Sequence, residues 1–146
     1  MQLYLGSNIP QYMEEFIDFA VGYLGIDRLR GEISITYKTR LEEEAFGVCW
    51  GDRSECEIQI GSTTFGEKIS REDKLKTIAH ELTHARQYLT GQLKCDTSCT
   101  TENKMWKSIW EGKVYRYRPQ NEVNKPWETE AVELESEIYE EWLERQ

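Results

Sequence analysis

His80 and His84 are the only two histidines in the chain, and they stand four residues apart in His80-Glu81-Leu82-Thr83-His84. On a helix, residues four apart lie one above the other on one face, about 6 Å apart along the axis. Two imidazoles so placed point at one spot, as a pair of zinc ligands must. Glu81 beside them can take a proton from a metal-activated water. The chemistry this spacing suggests is metal-assisted hydrolysis. The plainer alternative is a helix that carries two histidines and a glutamate on a wet face.

Catalytic zinc commonly takes three protein ligands and keeps one position for water. With no third histidine, the remaining ligand must be a carboxylate or a thiolate. Glu128 and Glu130, in Pro126-Trp127-Glu128-Thr129-Glu130-Ala131, are the candidates. Two residues apart on a helix, they cannot easily face one point.

The elements around these residues must hold them in place. Leu75, Ile78, Ala79, Leu82, Ala85 and Leu89 recur at helical spacing, so the histidine segment reads as a helix with one apolar stripe. At roughly 100° per residue, His80 and His84 fall opposite that stripe and face a cleft. Ser70 is a cap for its start, and Gly91 lies just past its end. Residues 10–26 read as an earlier amphipathic helix, with Tyr12, Phe16, Phe19, Ala20, Tyr23 and Leu24 on the buried side and Gly25 as terminator. Residues 32–37 alternate polar and apolar like a strand, and 45–50 with 56–60 read as a hairpin around Gly51-Asp52-Arg53-Ser54. Residues 61–66 read as a loop. Residues 93–104 show no clear period, a short turn is expected near Ser108, and 113–118 alternate as a strand. Pro126 suits the first turn of a final helix, whose apolar side runs through Ala131, Leu134, Ile138 and Trp142, with Val132 beside it. This order of elements is an α+β arrangement with a small mixed sheet.

The 146 residues amount to one domain, residues 1–146. A net charge of −9 argues against broad attraction to nucleic acid or an anionic membrane. No apolar run approaches the roughly 18 residues of a membrane span. The N-terminus lacks a basic start and a long apolar stretch, so no signal peptide is expected, and a reducing, cytoplasmic setting follows.

The histidine motif together with Glu128-Thr129-Glu130-Ala131, a downstream E-x-x-A, resembles the gluzincin metallopeptidases, and in particular their minimal single-domain members. The resemblance covers residues 57–135. It implies a zincin-like fold whose C-terminal helix carries the third ligand. It also implies Zn2+ held by His80, His84 and Glu128, Ala131 packed on the metal helix, and Glu130 as the reserve ligand. Cys56-Glu57-Ile58-Gln59-Ile60 sits where these folds place the strand bordering the substrate cleft, and would bind substrate backbone by strand addition. Many relatives carry an acidic residue after the Ala, which holds a ligating histidine. Here that position is Val132, and Glu133, Glu130 and a backbone carbonyl are the candidates to serve instead. The activity implied is peptide-bond hydrolysis with Glu81 as general base and a peptide or protein as substrate. Tyr115, Tyr117 and Arg118 are candidates for stabilising the oxyanion. Two other readings share the fold: a zinc-containing module that binds a peptide or partner without cutting it, and a latent enzyme blocked by its own chain.

Four cysteines remain, Cys49, Cys56, Cys95 and Cys99. They read as reduced thiols, as one Cys₄ zinc site, or as disulfides in one of three pairings.

Overall fold

Helix α1 (Gln11–Leu24) buries Met13, Phe16, Ile17, Ala20, Val21 and Leu24 along one face and stops where Gly25 turns left-handed at φ 71°. Tyr12 is only half-buried and Tyr23 is exposed. The buried line therefore runs through Met13, Ile17 and Val21 rather than the expected tyrosines, since aliphatic side chains bring no hydroxyl that needs a partner inside. The structure is a computed structural model that describes residues 1–100, 105–117 and 125–146, with the side chains of 96–100 and 105 outside that description.

A four-stranded sheet follows the order β1 (Gln2–Leu5), β2 (Glu32–Lys38), β4 (Glu55–Gly61), β3 (Gly47–Gly51). Neighbours β1, β2 and β4 run parallel, while β3 returns antiparallel to β4. The expected hairpin is present, and the Asp52 carboxylate closes its turn by accepting from the amides of Ser54 at 2.8 Å and Glu55 at 3.0 Å. Ile33, Ile35, Ile58 and Ile60 alternate onto one face and are almost fully buried. One apolar cluster joins that face to α1, to α2 (Arg71–Leu89) and to α3 (Pro126–Glu144). Burying a side chain such as Phe16 in it contributes roughly 1.5–3 kcal/mol relative to exposure.

Strand β4 is bonded on both sides, by β2 and by β3. Residues 57–60 are thus not the free edge bordering the cleft. That edge belongs to β3, because the hairpin folds back outside β4. Within residues 61–66, expected as loop, Thr63–Thr64 forms β5 and pairs with β6 (Glu67–Lys68). Ser70 caps α2, its hydroxyl accepting from the Asp73 amide at 3.1 Å.

Residues 93–104, expected to be irregular, contain β7 (Leu93–Thr100), which pairs with β8 (Met105–Trp110). The pairing register shifts between Asp96 and Thr100, and this irregularity breaks the alternation that would have marked a strand in the sequence. Ser108 lies inside β8 rather than at a turn, and the chain reverses at Glu111 and Gly112 into β9 (Lys113–Tyr117). On α3, Trp127, Ala131 and Ile138 are buried, and the Trp142 ring meets Phe16 edge-on at 5.5 Å. Val132 is 53% exposed, one residue's rotation off the buried line. The whole is a mixed α+β structure. Among the described residues no helix is long and apolar enough to cross a membrane.

Candidate metal centre

The α2 stripe holds its helix against the core and leaves the histidines turned toward α3, with His84 also lining a cavity. His84 is 7% exposed, and the side chain of His80 is 18% exposed. Pro126 starts α3, so Glu128 falls in the first turn. Ala131, fully buried, follows on the same helix. The α2–α3 packing brings Glu128 onto both rings.

Nε2 of His80 lies 3.2 Å from Nε2 of His84. Glu128 reaches His84 Nε2 with Oε1 at 2.9 Å and His80 Nε2 with Oε2 at 3.3 Å. An ion held tetrahedrally at about 2.0–2.1 Å from its ligands sets those ligands about 3.3 Å apart. The ring-to-ring separation is near that value, and two imidazoles with one carboxylate are a donor set suited to zinc. Among the described residues this is the group whose ligand atoms converge for a metal, all within 4.8 Å of one another.

The charges reinforce the geometry. Burial draws His80 toward neutrality, but its bond to Glu128 and the fields of Glu81, Glu128 and Glu135 prevail and push its pKa up to about 9. His84 is also raised, burial again being outweighed by Glu128 and Glu81. Glu128 would be raised by burial, yet its bonds to the two rings hold it well below the usual carboxylate range. Glu81 is 7% exposed, and burial raises its pKa against the pull of His84 and His80.

The outer positions of the histidines are occupied as well. His80 Nδ1 faces Glu135 Oε1 at 3.3 Å, and His84 Nδ1 faces Gln87 Oε1 at 2.8 Å. Neither partner is Glu133, Glu130 or a backbone carbonyl, the partners expected from the sequence. Glu130 instead accepts from Gln87 Nε2 at 3.1 Å and from Arg86 Nη2 at 3.4 Å, which removes it from the metal group. The signal for both partners was spacing. Gln87 is three residues past His84, and Glu135 is seven past Glu128, so each shares a helix face with a ligand. Gly47 was also missed. A Cβ there would come within 2.5 Å of Thr77 Cγ2 and 3.1 Å of Glu81 Cγ, so only glycine lets β3 lie this close to Glu81.

His84 and Glu128 open onto a cavity of about 970 Å³ that is also lined by Cys49, Trp50, Tyr88 and Tyr117. Of the oxyanion candidates, Tyr117 lines this cavity, its hydroxyl 2.9 Å from Ser108 Oγ, and burial raises its pKa so that it stays a hydrogen-bond donor. Tyr115 packs edge-on against Trp127 at 5.4 Å, and Arg118 lies outside the described residues. Cys49, Cys56 and Cys95 are free thiols. Burial, then the bond to Cys56, pushes the Cys49 thiol up. Cys95 Sγ sits 3.0 Å from the Tyr88 hydroxyl, outside the metal group. The Cys99 side chain lies outside the described residues, and so does the test of a Cys₄ site.

Comparison of the chain with family models, with curated proteins and with solved structures gave no match.

Proposed function

We propose that the chain is a zinc-dependent peptide hydrolase of the gluzincin kind, built on a minimal zincin-like domain. The observation that carries the reading is the convergence of His80, His84 and Glu128 at 2.9–3.3 Å, with Glu81 buried in the same helical turn. A bound zinc would acidify water and polarise the scissile carbonyl. Glu81 accepts the water proton on its carboxylate and returns it to the leaving amine. A carboxylate whose pKa burial has raised suits both transfers. The free edge of β3, held against Glu81 at Gly47, receives the substrate backbone as an added strand. Tyr117 donates its phenol hydrogen toward the developing oxyanion. The substrate is a peptide or protein, and the free thiols suit a reducing, cytoplasmic setting.

The test is metal content by elemental analysis together with cleavage of a panel of protein substrates, comparing wild type with Glu81→Gln. Zinc near one equivalent in both proteins is expected, with hydrolysis lower by about 10²–10⁴-fold in the variant. Full activity in Glu81→Gln overturns the assigned base. Zinc binding with every substrate left intact returns the chain to a peptide-binding module.

A further inference from the structure

We propose that Gln87 is the positioning residue of this centre: one buried amide decides which nitrogen of His84 keeps its hydrogen and ties the Glu128 helix to the histidine helix. The inference rests on the reading of His80, His84 and Glu128 as metal ligands.

Gln87 is completely buried between α2 and α3. Its Nε2 donates to the Trp127 carbonyl at 3.1 Å and to Glu130 Oε1 at 3.1 Å. A backbone carbonyl only accepts, and a carboxylate does the same. Both amide hydrogens are therefore committed, and the amide cannot turn over without setting its oxygen against two acceptors. With the NH₂ end fixed, Oε1 must be the atom that faces His84 Nδ1 at 2.8 Å. An amide oxygen cannot donate, so Nδ1 carries a hydrogen. Nε2, 2.9 Å from Glu128 Oε1 and 3.2 Å from His80 Nε2, is then the nitrogen left for a metal. With a metal on Nε2, the Nδ1–H stays bonded to Gln87 Oε1.

The same amide acts on the third ligand. Trp127 and Glu130 bracket Glu128 in the first turn of α3, so the two bonds from Gln87 hold that turn against α2. Arg86 pairs with Glu130 at 3.4 Å and steadies the far end of the chain of contacts. His80 is held differently, by Glu135 from α3, whose side chain keeps 22% exposure. Only His84 is oriented by a group with no access to water.

The experiment is ¹⁵N spectroscopy of the histidine rings in zinc-loaded protein, paired with zinc affinity by chelator competition. The chain has only two rings to assign. Wild type is expected to show His84 with the metal on Nε2 and a slowly exchanging hydrogen on Nδ1. Gln87→Met, which removes donor and acceptor at similar length, should let the Nδ1 hydrogen exchange rapidly and weaken zinc binding by about 10–100-fold. Gln87→Glu keeps an acceptor for Nδ1, so it should restore the slow exchange while recovering only part of the affinity, the bonds to Trp127 and Glu130 being lost. The proposal is overturned if zinc-loaded wild-type His84 carries its hydrogen on Nε2, or if Gln87→Met leaves both the Nδ1 exchange and the affinity unchanged. The wild-type spectrum decides the first point even where a variant does not fold. Failure of wild type to bind zinc defeats the metal reading instead, which is a separate result.

Discussion

Without a cation at the centre, Glu128 and the two rings can satisfy one another only as an ion cluster, and this makes the stability of the metal-free protein depend on pH. His80 rises from 6.5 to about 9 on folding, so its contribution is complete below pH 6.5 and is lost as pH climbs through about 9. His84 moves in the same direction. Glu128 is depressed from 4.5, so its contribution is present above that value and is lost at lower pH. Metal-free protein should therefore melt highest between pH 4.5 and 6.5 and progressively lower toward pH 9. A melting temperature that stays flat across the alkaline half of that scan would show that the rings are not coupled to the carboxylates. Metal affinity should run the other way, rising with pH as the displaced protons become easier to remove. Glu128→Gln keeps the shape of the side chain but not its charge, and should weaken zinc binding by more than about 100-fold, beyond the loss expected for a supporting residue. Chelator competition measures both effects.

At the scale of elements, the centre depends on two contacts that α2 makes, one with β3 and one with α3. Gly47 marks the first. A methyl group there meets Thr77, whose hydroxyl is already committed to the Asp73 carbonyl at 2.7 Å, and the stem of Glu81. Gly47→Ala should cost about 1–3 kcal/mol by overpacking and should lift β3 away from Glu81. The expected signature is intact zinc content with lowered hydrolysis, read by elemental analysis beside an activity assay. Ile138 marks the second contact, fully buried nearly three turns beyond Glu128. Ile138→Ala should cost about 2–5 kcal/mol in urea unfolding, and by loosening α3 it should lower metal affinity although it touches no ligand.

For the molecule as a whole, a metal that joins α2 to α3 also links two ends of the apolar cluster, so binding and folding are one equilibrium. At free zinc about 100 times Kd the native state gains about 2.7 kcal/mol, which for a chain of this size is roughly 5–10 °C in Tm. Calorimetry with and without a chelator should show that difference in wild type and none in Glu128→Gln. The histidine helix, its cap and the final helix were all legible in the sequence because each rests on local rules: periodicity, a serine before an acidic turn, a proline at the first position. So was the convergence of His80 and His84, which helical pitch alone dictates. The choice of Glu128 over Glu130 came from the family resemblance and not from local rules, since it depends on how α3 rolls against α2, where Ala131 and Ile138 are buried and Gln87 bonds across. The partners of the histidines, the glycine beneath Glu81 and the identity of the cleft-side strand were hidden for the same reason. Each is a contact between segments distant along the chain, and no local pattern of residue types encodes which surfaces will meet.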